Sequence, residues 1–189
     1  MLTDVADFGL GTTWAGTNDD GQEINISLDG REYTFPVNED VVTALNFSRR
    51  VVGKQIHAII LRNKTGAAVL PGEVVRVDVD GGFKGLGEAD KLAGAGEDLV
   101  YVVDPQIVAE GCPDGDLFLA IQGGPTRVKQ PASPVTLVAD DKIKAGASGR
   151  LAKSATPSGE VDLLLGTVVE DNAVANDLVA VLLHPIWKS

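Results

Sequence analysis

Few side chains in this sequence could act as a nucleophile or a soft metal ligand. There is one cysteine, Cys112, and there are two histidines, His57 and His184. A thiolate nucleophile needs a base beside it and electropositive surroundings. Cys112 sits in "EGCPDGD", a turn with three nearby acids, and negative neighbours keep a thiol protonated. It reads as a small turn or core residue. His57 lies inside the apolar run "VVGKQIHAIILRN" and reads as a packed or edge histidine. A single cysteine excludes an intramolecular disulfide, and with two histidines it leaves little for a Cys/His metal site.

The remaining chemical candidates are weak in their spacing. The acid pairs Asp140-Asp141 and Glu170-Asp171 could offer oxygen to a hard cation. Adjacent strand residues point to opposite faces, so such a pair chelates only across a turn. "GGFKGLGEAD" at 81–90 is glycine-rich, but no Gly-Lys-Ser/Thr follows at phosphate-loop spacing. "GASGR" at 146–150 lacks the Gly-x-Ser-x-Gly spacing of a nucleophile elbow. No catalytic constellation emerges. The expectation is a structural or binding protein, not an enzyme, with no cofactor and no metal.

Glycine (22) and proline (9) punctuate the chain, and short β-branched runs lie between them. That texture predicts an all-β protein with few short helices. "EINISLDGREYTFPV" predicts a hairpin. Ile24, Ile26 and Leu28 alternate before Asp29-Gly30, and Tyr33, Phe35 and Val37 alternate after it. Asn38 suits a helix cap, with Glu39 and Asp40 in the first turn, although Val41 and Val42 keep a strand open. "VVGKQIHAIILRN" reads as a strand, and "AAVLPGEVVRVDVD" as a strand around a Pro71-Gly72 turn. Asp104, Pro105 and Gly111 suit the cap, first position and end of one short helical turn or helix. "DLFLAIQGG" predicts a strand, and "GPTRVKQPASPVTLVADDKIKAGASGRLAKSA" two or three short ones. "GTVVEDNAVANDLVAVLLHP" closes the chain as two strands, with Asn176-Asp177 as the turn.

Charge divides the chain. The net charge is −11, and residues 1–48 hold nine acids against the single base Arg31. Two segments follow: an acidic N-terminal arm or hairpin over 1–48 and a β-rich core over 49–189. An acidic chain is repelled by phosphate backbones, so no nucleic-acid partner is expected. "MLTDVADFGLGTTW" lacks the features of a signal peptide, and no apolar run approaches 18 residues. A soluble protein made in the cytoplasm, with no membrane partner, is expected.

Three runs resemble a family of tailed-bacteriophage head proteins, the capsid decoration or cement proteins. They are "RNKTGAAVLPGEVV" (Arg62 to Val75), "VVDP" (Val102 to Pro105) leading to "GGPTRVK" (Gly123 to Lys129), and "DDKIKAGASGRLAKS" with the closing "GTVVEDNAVANDLVAVLLHP". The resemblance spans roughly residues 47–186. It implies a compact β-barrel-like or β-tulip-like core that sits, often as a homotrimer, on the outer surface of the expanded virion capsid. There the partners are the major capsid protein and further copies of the chain. No catalytic residue is implied.

Capsid or oligomer contacts are then expected from Trp14, from the basic step Arg49, Arg50 and Lys54, and from Trp187. Each has a second reading. The arm could be self-packed, Arg49 and Arg50 could pair with the acidic arm, and Trp187 could be a lid on its own core. Competing functions are a β-rich module that recognises a glycan or other surface ligand, or another head- or tail-associated virion protein. An aromatic content of 5% gives the glycan reading thin support.

Overall fold

The structure, a computed structural model, describes residues 9–47, 51, 53–77, 87–94, 99–133, 135–154, 164–171, 174 and 177–183. It is mainly β, as the turn-punctuated sequence predicts. The strands are β1 (Thr13–Trp14), β2 (Glu32–Pro36), β3 (Gln55–Asn63), β4 (Val74–Val77), β5 (Glu88–Leu92), β6 (Val100–Val103) and β7 (Leu117–Lys129). The second half adds β8 (Lys142–Ala145), β9 (Leu151–Lys153), β10 (Leu164–Val168) and β11 (Leu178–Leu183). One helix, α1 (Glu39–Ala44), follows β2. No helix among the described residues is long and apolar enough to cross a membrane.

Five strands pair in a circuit. β3 runs parallel to β5, β5 pairs β4, β4 pairs β6, β6 pairs β7, and β7 returns to β3. β1 lies on β7, and β2 extends the circuit from β3. The remaining strands form a second run, β7-β11-β10-β8-β9. The sheet therefore hinges on β7. Its first half belongs to the ring and its second half to the other run.

The ring parts of β3, β4, β6 and β7 are largely apolar on both faces and read as near-continuous hydrophobic runs, whereas β5 carries Glu88, Asp90 and Lys91. Ile59, Leu61, Val75, Val77, Val103, Phe118 and Ala120 gather in one cluster. Their neighbours Ala58, Ile60, Val74, Val102, Leu117, Leu119 and Ile121 join a larger cluster with Val128, Ile143, Val179 and Val181 of the second run. The alternation along each strand sends successive side chains to opposite sides, which is what divides the two cores.

Two sequence expectations hold in detail. The Asn38 side chain accepts from Val41 N at 2.9 Å and starts α1, with Glu39 and Asp40 in its first turn. The final pair of strands forms, with Gly166 opposite Leu183 and Val168 opposite Val181. Part of its expected turn, Asn176, lies outside the described residues, as do His184 and Pro185.

Three expectations are corrected. Residues 24–28 are not the first strand of a hairpin. Ile26–Leu28 is a 3-10 turn, entered through Asn25 at φ 57°, and β2 pairs with β3 instead. Only the second half of the alternation survives, with Tyr33 and Phe35 half-buried and stacked at 6.4 Å. No helix follows Asp104. Its carboxylate accepts from Gln106 N at 3.0 Å, and residues 105–110 make turns. "DLFLAIQGG" does not end at its glycines, because β7 continues through Gly123, Gly124 and Pro125 to Lys129.

Candidate functional site

The chemistry-bearing residues are kept apart. Cys112 is buried, forms an isolated bridge with Val69 and packs in the smaller core. Burial, reinforced by the charge of Asp116, pushes its thiol up to about 12. His57 is half-buried on β3, with Nδ1 3.2 Å from Thr34 Oγ1. Asn63, six residues further along β3, donates to the Cys112 carbonyl at 2.9 Å. Six strand residues span ~20 Å, so His57 lies far from the thiol.

One acid of each pair serves the backbone. Asp141 accepts from Val138 N at 2.9 Å and from Lys153 Nζ at 2.7 Å, and those bonds, that of Lys153 first, hold its carboxyl below the usual range. Asp171 accepts from Ala139 N at 2.7 Å, and Glu170 lies 4.0 Å from Arg127. Among the described residues no three His, Cys, Asp or Glu side chains gather where they could hold a metal. Ser148 of "GASGR" is exposed in a 3-10 turn at φ 56°. Of the glycine-rich run, residues 81–86 lie outside the described residues, and Glu88–Asp90 begins β5.

What the structure does build from charge is a clasp over the N-terminal stretch. Arg62, at the end of β3, is fully buried. Its guanidinium donates to Gly16 O at 2.7 Å, Gly115 O at 3.1 Å and Ile24 O at 2.9 Å. It also meets Asp29 through Nε to Oδ2 at 3.2 Å and Nη2 to Oδ1 at 3.1 Å. Burial raises the Asp29 carboxyl, and the Arg62 bond opposes that rise. Asp116 accepts from Gly16 N at 2.8 Å, and Asp104 accepts from Gly11 N at 2.5 Å. Lys64 pairs with Glu23 at 2.5 Å. Four side chains of the ring and its loops thus fasten residues 11–29 across it. Gly16 fits here only without a side chain, since a Cβ would stand 1.7 Å from Gly115 O.

A second junction joins ring to outer run. The Pro71-Gly72 turn wedges between them. Gly72 N donates to Val103 O at 3.1 Å, and Lys129 N donates to Gly72 O at 2.8 Å. A Cβ on Gly72 would meet Leu178 Cδ2 at 2.4 Å. Beside it, buried Glu73 accepts from Leu70 N at 2.9 Å and faces Arg150 at 3.5 Å and Lys129 at 3.8 Å. Arg127 donates to the carbonyls of Leu45, Asn46 and Leu178 and lies 5.8 Å from the Phe47 ring centre. It closes the C-terminal end of α1, where carbonyls otherwise lack donors. A cleft of about 240 Å³ opens beside it, lined by Ala44, Pro105, Gln106 and Asp177 among others.

The expected contact residues are scattered. Trp14 is half-buried against the larger core, opposite Leu117. Lys54 is exposed just before β3. Arg49, Arg50 and Trp187 lie outside the described residues. Sequence reasoning missed Arg62 and Arg127, and took Asp104 for a helix cap where it holds Gly11 N. The only signal for Arg62 was a charge ending an apolar run, which demands a buried partner or an exit to water.

No protein-family model matches this chain, and no curated protein matches it. Among solved structures it is similar to the crystal structure of the N base of the head fiber gp8.5 in bacteriophage phi29. The identity is 17% and the TM-score 0.38, over 69% of this chain and 95% of that one, a likeness too slight to argue function.

Proposed function

We propose that this chain is a head-associated structural protein of a tailed-phage virion. It binds the outer surface of the expanded capsid as a homo-oligomer and bridges neighbouring copies of the major capsid protein. The observation that carries the reading is where the three family-like runs fall. Gly72 of the first bonds to Val103 of the second, Lys129 of the "GGPTRVK" run bonds to Gly72, and Leu178 of the last packs on it. Runs far apart in sequence thus form one contiguous joint, as expected when the likeness lies in the fold and not in isolated words. A surplus of acid also suits a protein that must avoid packaged and stray nucleic acid.

The test is co-sedimentation of the purified protein with expanded, undecorated heads over a concentration series. Saturation at a copy number matching the capsid lattice, with heads that burst at higher temperature, is the expected result. Saturation at a few copies per head would replace the cementing role with that of another head- or tail-associated part. Absence of binding by folded protein would overturn both.

A further inference from the structure

The sheet ends on β2 at one side and on β9 at the other, and among the described residues each pairs with a single strand. On the β2 side, Ile60 N donates to Arg31 O and Val37 N to Lys54 O. In an antiparallel ladder alternate residues face the partner, so Glu32 and Thr34 turn their backbone groups outward. On the β9 side, Ser154 N donates to Lys142 O and Gly146 N to Arg150 O, so Lys153 turns outward. The two edges differ in charge. Glu32, Glu39 and Asp40 are exposed on β2 and the helix that follows it, with the exposed bases Arg31 and Lys54 at the two ends of the strand. Lys142 and Lys144 on β8 and Lys153 on β9 follow Asp140 and Asp141, while Arg150 is taken up by Glu73 at 3.5 Å.

We infer that these edges dock on each other between two copies of this chain, β2 of one protomer adding to β9 of the next. Unpaired strand edges are templates for such addition. The charges favour the mixed pairing, because β2 against β9 can set acidic Glu32 near basic Lys153, a match that two β2 edges lack. Lys153 already holds Asp141 at 2.7 Å, yet its side chain is 41% exposed and an ammonium has three donors. Because the two surfaces differ, the contact is head-to-tail, the kind that builds a ring when its rotation closes and a filament when it does not. It stands whether or not the chain coats a phage head.

The experiment is sedimentation equilibrium of the full chain over a range of concentration and salt, with variants Glu32→Lys, Lys153→Glu and the double reversal. The native chain is expected to assemble, each single reversal to weaken assembly about tenfold or more, and the double reversal to restore it. Thr34→Pro provides a control that removes an outward N–H without breaking the β2–β3 ladder, and it too is expected to weaken assembly. A native chain that stays monomeric, or folded variants that assemble like the native chain, would overturn the inference.

Discussion

Arg62 and Asp29 meet in a two-pronged ion pair, at 3.2 and 3.1 Å, across 33 residues of sequence. The arginine is wholly buried, and three carbonyls take its remaining donors. Removing one partner of such a pair leaves the other charge uncompensated. Arg62→Met is therefore expected to lower stability by roughly 3–5 kcal/mol in urea unfolding. Arg62→Lys should rescue little, since a single ammonium cannot reproduce the planar fork. A loss below about 1 kcal/mol for either variant would mean that the clasp is dispensable.

Asp104 sets a pH dependence with a definite sign. Burial raises its carboxyl from 3.8 to about 6, against the bonds from Gly11 N and Gln106 N. The folded chain thus holds this proton more tightly than the unfolded one. The stability gained from it is full below about pH 4 and is lost as pH rises through 6. The two-unit difference corresponds to about 3 kcal/mol. Native protein and Asp104→Asn, melted side by side between pH 4 and 7.5, should diverge by that order. Parallel curves would contradict the assignment.

Gly124 is expected to tolerate no side chain. Its φ is +93°, and a Cβ would stand 2.0 Å from Gln55 O. Gly124→Ala should cost on the order of 3 kcal/mol, from strain and forced backbone displacement together. The control is Gly66→Ala, which has a similar φ of +78° and open space around it and so isolates the strain. Equal losses in the two variants would remove the steric part of the account.

The Cys112 thiol should be inert in the folded protein. A rise from 9.0 to about 12 leaves about a thousandfold less thiolate at neutral pH, and the side chain is buried besides. Labelling with a thiol reagent should be slow in buffer and fast in urea. Cys112→Ala should leave binding to heads unchanged. Rapid native labelling would reopen the enzymatic reading.

The fold class was legible in the sequence because turn residues and β-branched runs report on local geometry. So was the start of α1, where Asn38 and its two acids act within one turn. Pairing was less legible. Asp29-Gly30 looks like a hairpin turn by composition, yet Asp29 is held by Arg62 and Gly30 N by Ile60 O, both on another strand. Gly123-Gly124-Pro125 looks like a break, yet the glycine's freedom is what lets β7 pass close to Gln55 and continue. The clasp was invisible, because its donors and acceptors lie 33 to 100 residues apart.

The thirteen residues of β7 carry one further consequence. Because a single strand serves both the ring and the outer run, tension applied between them travels along covalent backbone and not only across a seam of hydrogen bonds. The two parts cannot slide past one another without stretching or unfolding that strand. A pulling experiment with handles on either side should therefore meet one high rupture force, with no early peeling step.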